Sequence, residues 1–125
     1  MKTYEIIIDA GTRYEIVLNV VECGEDLNVS LCGGTRHHIG AVALGYPSGI
    51  VGKETLRSAT VSVICINGHK DDEIARKAAK YLATEMNSNV SVVAGVHIND
   101  ANAYEIKTLV DNCMSACNKF INIRK

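Results

Sequence analysis

The apolar residues of this chain change their spacing about halfway along its 125 residues. Up to residue 66 they alternate with polar residues in short runs separated by glycine-containing turns, a pattern typical of strands with one buried face. From residue 71 onward, two long segments repeat apolar residues at helical spacing. Because a chain of this length has room for only one core, we expect a single domain over residues 1–125 in which a sheet packs against helices.

The alternating runs predict strands over residues 4–10, 13–22, 27–32, 39–46, 56–66 and 89–98. Helices are predicted over residues 71–87 and from Asn102 onward, where Glu105 completes a capping box. We therefore expect an α+β fold whose antiparallel-rich sheet begins with a four-strand N-terminal meander and continues as strand, helix, strand, helix, with both helices on one face. The strand over 56–66 is the most apolar and is expected at the centre, and residues 47–54 are expected to form the longest loop.

The core is predicted to be aliphatic, because the chain has no Trp and Phe120 is its single Phe. Within the strand over 39–46, Gly40 and Gly45 enclose a run of small and aliphatic residues, which indicates that another part of the molecule approaches this strand closely. In the last helix the predicted buried stripe is Ile106, Leu109, Val110, Cys113, Met114, Cys117 and Ile121.

Charge and cysteine content exclude several classes of protein. The net charge of −1 gives no broad positive field for a phosphate backbone, so we expect no nucleic acid partner. No apolar run reaches the roughly 20 residues of a membrane span, and residues 1–5 lack a signal-peptide pattern, so we expect a cytoplasmic protein that does not bind a membrane. The five cysteines include no CxxC pair and are expected to be reduced, buried thiols. Cys113 and Cys117 share a helix face, but a metal site there would lack two ligands, and no metal is expected.

Three polar segments, residues 33–38, 68–72 and 95–100, follow apolar strands. In the middle segment Gly68, His69 and Lys70 precede the helix that starts at Asp71. A phosphate there would meet unpaired amides, the positive end of the helix dipole and the Lys70 ammonium group. The alternative is an ordinary strand-to-helix turn in which Asp71 caps the helix and Lys70 points into water. Composition alone favours this ordinary turn, since short glycine turns outnumber ligand sites.

The first segment joins a flexible glycine backbone to Arg36, His37 and His38. A guanidinium group can clamp a phosphate or a carboxylate, while adjacent histidines of an extended chain face opposite sides. A polar loop between two strands is the alternative. In the third segment, His97 and Asn99 would emerge near His69 if the strand over 89–98 lay beside the strand over 56–66. Neither GxSxG nor HExxH occurs, and the adjacent histidines match neither common metal spacing, so catalysis has no positive signal.

Taken together, the run from Gly33 to Leu44, the turn Gly68-His69-Lys70-Asp71 and the segment from Gly95 to Ile98 resemble the small prenylated-flavin chaperone family, LpdD-like, found with gallate and related decarboxylases. The resemblance covers most of the chain, although no single motif is diagnostic. It implies a homodimer with a fold like that of proteasome assembly chaperones three and four. It also implies binding of reduced prenylated FMN and its delivery to an apo-decarboxylase of the UbiD type.

Carried over by position, the resemblance makes Gly68, His69 and Lys70 candidates for the flavin phosphate. The other candidate cofactor-binding residues are Gly34, Thr35, Arg36, His37, His38, Asp71 and His97. The leading hypothesis is a non-catalytic cofactor chaperone. Two alternatives remain: a dimeric assembly factor for proteins only, and a small enzyme that uses the histidines at positions 37, 38, 69 and 97 as acid-base or metal groups.

Overall fold

A computed structural model describes residues 1–51, 54–66 and 71–124, with residues 50, 51 and 54–57 described in backbone only. Within these ranges the chain forms six strands and two helices in the predicted order. The elements are β1 (Thr3–Ile8), β2 (Ile16–Cys23), β3 (Asp26–Gly34), β4 (Ala41–Val51), β5 (Glu54–Cys65), α1 (Asp71–Met86), β6 (Val90–His97) and α2 (Ala103–Arg124).

The described strands form one sheet in the order β1-β2-β3-β6-β4-β5. Only the β3–β6 pair among them is parallel, so the predicted antiparallel-rich α+β class is confirmed. The four-strand meander is corrected to three strands, because β6 lies between β3 and β4. A local alternation predicts a strand but cannot predict a neighbour that arrives from more than fifty residues later in the chain.

The expectation that the strand over 56–66 is central is wrong, since β5 pairs with β4 alone at one edge of the sheet. Its apolar residues serve two faces: Val61 and Val63 pack towards the core, whereas Ile64 is 78% exposed on the other face. The expected loop over 47–54 is also wrong, because β4 continues to Val51 and pairs with β5 there. The β4–β6 pairing stops at Gly45, so Pro47 lies in a stretch of β4 bonded on one side, where a missing N–H is tolerated.

Both helices pack on the same face of the sheet, as predicted. Helix α1 covers β4, β5 and β6, and α2 covers β1, β2 and β3. The capping box is present, with Asn102 Oδ1 accepting from the Glu105 amide at 2.8 Å. Neither described helix has the length and apolar character of a membrane span. The core is aliphatic as predicted, with Phe120 as an aromatic exception, and its largest fully buried side chains are Phe120, Ile16, Leu18, Leu31 and Leu82.

The close approach predicted for the strand with Gly40 and Gly45 is confirmed. A Cβ atom on Gly45 would lie 2.6 Å from the backbone oxygen of Ala79 in α1. The buried face of α1 is built largely from alanines at positions 75, 78, 79 and 83. Helix α1 therefore lies against β4 at backbone distance, which fixes where the helix begins relative to the end of the sheet.

The face of the sheet opposite the two described helices is here called the open face. Its exposed apolar side chains are Ile7, Val42, Leu44, Tyr46 and Ile64, with exposed fractions from 39% to 78%. The register places these residues on one side, since Val42 lies opposite Ile64 and Ile7 lies opposite Val17. The open face is therefore a partly apolar surface.

The connection from β3 to β4, residues 35–40, has to pass the C-terminal end of β6 because β6 lies between the two strands. A Cβ atom on Gly95 would overlap the carbonyl oxygen of His38, and one on Gly34 would overlap the carbonyl oxygen of His97. Gly34 also has a φ of +76°, which favours glycine. Both glycines lie where the connection and β6 touch through their backbones.

The cysteines differ in their surroundings. Cys113 and Cys117 are buried as predicted, and burial raises the pKa of the Cys117 thiol to about 12 and also raises that of Cys113. Cys23 and Cys65 are exposed, so the expectation of buried thiols is wrong for these two. Both lie at strand ends, where little of the fold covers them.

Replacing Gly95 by Ala is expected to destabilise the protein by roughly 1–3 kcal/mol, because the new methyl group displaces the backbone at His38. Urea unfolding followed by circular dichroism measures the loss. Ser62→Ala, at an exposed strand position, is the matched control and should be nearly neutral. A Gly95→Ala variant as stable as this control would contradict the close backbone contact.

Alkylation with iodoacetamide at mildly alkaline pH should modify Cys23 and Cys65 in the native protein and leave Cys113 and Cys117 unmodified. The buried thiols are inaccessible, and their raised pKa leaves little of the reactive thiolate. Peptide mass spectrometry before and after denaturation measures the four sites. Modification of the helix cysteines at the rate of the exposed ones would refute this arrangement.

Candidate functional site

Strands β3, β5 and β6 all finish at the same end of the sheet, where β4 begins. Ala41 at the start of β4 is paired with Cys65 on one side and Ala94 on the other, and Gly34 lies beside His97. The hypothesis that the strands over 56–66 and 89–98 lie side by side is wrong, because β4 separates them. They still run in the same direction, since each is antiparallel to β4.

Asp71, the first residue of α1, is buried at this end of the sheet with 4% exposure. Its Oδ1 accepts a hydrogen bond from the Val96 amide at 3.0 Å, and its Oδ2 lies 3.5 Å from Nε2 of His38. A Cβ atom on Gly40 would overlap this carboxylate, so the glycine leaves the space that the carboxylate occupies. Asp71 thereby fastens the start of α1 to the end of β6 and to the β3–β4 connection.

His38 and His97 lie close to each other at the same end of the sheet. Their rings are 6.2 Å apart between centroids and nearly perpendicular. Nε2 of His97 lies 2.7 Å from Oδ1 of Asn99, and the His97 carbonyl accepts from the Thr35 amide at 2.8 Å and from the Thr35 hydroxyl at 3.2 Å. The two adjacent histidines differ in exposure: the side chain of His38 is 13% exposed, while His37 is exposed to solvent.

The structure thus brings together five of the candidate residues and leaves others apart. Gly34, Thr35, His38, Asp71 and His97 meet at the end of β6. Arg36 and His37 lie on the same connection but are exposed. Gly68, His69 and Lys70 lie outside the described residues, so their role as a phosphate site stays a prediction.

A pocket of about 420 Å³ lies between the start of α1, the end of β6 and the first half of α2. Its polar lining residues are Asp71, Glu73 and His97. The rest of the lining is apolar and consists of Ile74, Val96, Ile98, Ala101, Ile106, Leu109 and Val110. Ligand pockets commonly have about 300–1,000 Å³ and predominantly apolar walls, so this pocket has the size and character of a small-molecule site.

Sequence reasoning found Asp71 and His97 but missed the apolar walls of the pocket. Ile106 was assigned to the buried stripe of α2, yet it is 51% exposed and forms part of the wall. The available signal was the apolar character of residues 96, 98 and 101 around the end of β6, which suits a wall as well as a core. Among the described residues, no three His, Cys, Asp or Glu side chains are grouped as a metal site would require.

Comparison with known proteins agrees with this fold. A solved structure described as a novel chaperone complex for yeast 20S proteasome assembly contains a chain of similar fold, with a TM-score of 0.56 and 12% identity over 98% of this chain and 95% of that chain. At this identity the likeness concerns the fold alone. It confirms the fold similarity to proteasome assembly chaperones that the sequence resemblance implied.

Protein LpdD of Lactiplantibacillus plantarum (strain ATCC BAA-793 / NCIMB 8826 / WCFS1) is 29% identical over 99 residues, which cover 78% of this chain and 66% of that protein. The match therefore spans slightly less than two thirds of the relative's length. The family model of the prenylated flavin chaperone LpdD-like domain matches residues 10–125, nearly the whole chain. The chain therefore belongs to the prenylated flavin chaperone LpdD-like family.

Proposed function

We propose that this protein binds reduced prenylated FMN as cargo and delivers it to an apo-decarboxylase of the UbiD type that acts on gallate-like substrates. The match to the prenylated flavin chaperone family over residues 10–125 carries the proposal. In this function the protein makes and breaks no bond. Its task is to hold a reactive cofactor and release it, and a cytoplasmic location with reduced thiols is part of the same proposal.

The pocket beside Asp71 and His97 supports this function. A reduced flavin reacts with oxygen, so a carrier has to cover the ring and keep its binding reversible. Apolar walls formed by β6, α1 and α2 can exclude water, while a small number of polar groups fix the orientation of the ligand. Thr35, His38 and His97 lie at the end of β6, where they can orient the cargo.

The phosphate of the cargo is assigned to Gly68, His69 and Lys70, with Arg36 and His37 as further groups on the neighbouring connection. Helix α1 carries Asp71, Asp72 and Glu73 in its first turn. Their negative charges offset the positive potential at this end of the helix dipole. In this proposal the Lys70 ammonium group therefore contributes more to phosphate binding than the dipole does. Lys70→Ala should weaken binding, and Lys119→Ala, which removes an exposed cation of α2, is its control.

Anaerobic titration with FMN, reduced FMN and reduced prenylated FMN tests the binding step, with flavin fluorescence and calorimetry as readouts. Reduced prenylated FMN is expected to bind most tightly, and Lys70→Ala to weaken its binding by roughly tenfold, the equivalent of one lost charge-assisted contact. If none of the three flavins binds while the protein is folded, the cofactor chaperone is excluded and the protein-only assembly factor becomes the better description.

Delivery is tested separately. The loaded protein is mixed with an apo-decarboxylase of the UbiD type, and decarboxylation is followed in air and under nitrogen. We expect the loaded protein to restore activity, and to retain this ability in air longer than the same amount of unbound cofactor does. Equal restoration by the unbound cofactor under both atmospheres would contradict a carrier role.

We also propose that the protein is a homodimer that pairs through the open face. Leu44 and Ile64 are large, exposed and on the same side of neighbouring strands. Val42 and Tyr46 are exposed on the same side. Exposed apolar patches of this kind mark interaction surfaces, and two sheets can pack face to face at about 10 Å. The pocket lies on the helix side of the sheet, so pairing through the open face would leave the pocket accessible.

Sedimentation equilibrium is expected to give a mass about twice the 13.5 kDa of the chain. Leu44→Lys and Ile64→Lys should each shift the protein towards monomer, because a buried unpaired ammonium group is costly. The control is Ile123→Lys, which changes a residue of α2 that is 62% exposed. A wild-type monomer at micromolar concentration, or a dimer unaffected by both open-face variants, would contradict this interface.

A further inference from the structure

We propose that the pocket between α1, β6 and α2 receives the ring system of the cargo, while the phosphate stays outside the pocket. This inference rests on the proposed flavin-binding function and specifies how the ligand is oriented. It adds Ile106 and Val110 of α2 as specificity-determining contacts, which the sequence-based candidate residues did not include.

The apolar wall matches the flat faces of an aromatic ring. Ile74, Ile98 and Leu109 are buried with at most 8% exposure and form its inner part. Ile106 is 51% exposed and Val110 is half-buried, so they form a part of the wall that remains in contact with solvent. Covering such a surface with a planar ring removes apolar area from water on both the ring and the wall.

Charge argues against the phosphate in the same pocket. The described lining includes the acidic residues Asp71 and Glu73 and no Lys or Arg. A phosphate carries a charge of about −1.5 to −2 near neutral pH, and repulsion between like charges grows where water is excluded. Lys77 pairs with Glu73 at 3.3 Å, but both side chains are at least half exposed, so the pair screens the pocket only weakly.

The same lining suits the polar edge of a reduced flavin. Its ring N–H groups are hydrogen-bond donors, and carboxylate oxygens and a neutral imidazole nitrogen are acceptors. Glu73 and His97 supply such acceptors in the pocket lining. Lys70 directly precedes Asp71 in the chain, so the assigned phosphate site and the pocket are next to each other in sequence. Ring binding and phosphate binding are thus assigned to different residues, which makes them separable by experiment.

The experiment compares reduced riboflavin, which lacks the phosphate, with reduced FMN in anaerobic titrations of five proteins. These are the wild type, Ile106→Trp, Val110→Phe, Lys70→Ala and the control Ile123→Trp on the exposed C-terminal part of the helix that carries Ile106. We expect Ile106→Trp to weaken both ligands by the same factor, roughly tenfold or more, because the indole fills the pocket. Lys70→Ala should weaken only FMN, and Ile123→Trp should weaken neither.

Several results would overturn the inference. One is tight binding of FMN by Ile106→Trp and by Val110→Phe, a second variant that fills the pocket from a different position. Another is binding of FMN without measurable binding of riboflavin, with inorganic phosphate as an effective competitor, since this would make the phosphate the anchoring group. If the folded wild-type protein binds none of FMN, reduced FMN and reduced prenylated FMN, the proposed function itself fails. Flavin binding that the pocket variants leave unchanged contradicts only the inference about the pocket.

Discussion

The pairing of β6 between β3 and β4 is the constraint on which the rest of the structure depends. It joins the N-terminal meander to the β4–β5 hairpin in one sheet, and it brings the start of α1 to the end of β6. It also forces the β3–β4 connection across the end of β6, where Gly34 and Gly95 allow two backbones to touch. Three segments far apart in sequence meet there because β6, which comes late in the chain, lies between β3 and β4 in the sheet.

The buried carboxylate of Asp71 holds this meeting point together. It accepts a hydrogen bond from the Val96 amide and lies 3.5 Å from Nε2 of His38, so it connects the start of α1 with β6 and with the β3–β4 connection. The pocket lies between the start of α1, the end of β6 and the first half of α2, where apolar side chains surround an unfilled volume.

In the proposed function, the two faces of the sheet would serve two different tasks. One face is covered by both helices and carries the pocket at the end of β6, where a small ligand can be enclosed. The open face carries exposed aliphatic side chains suited to another protein surface. A carrier has to bind a cofactor and also contact proteins, and this separation would let the two interactions occur without competing for the same residues.

The sequence by itself determined the elements and their order, because periodicity and capping are local: the Asn102–Glu105 box and the helical spacing from Asp71 need only a few neighbouring residues. It also identified His38, Asp71 and His97 as polar groups at strand and helix ends. The tertiary structure alone decided that β6 is inserted, that β5 lies at the edge, and that Ile106 faces a pocket instead of the core. These outcomes depend on which distant surfaces fit together, and an apolar residue carries the same local signal whether it meets a core, a pocket or an open face.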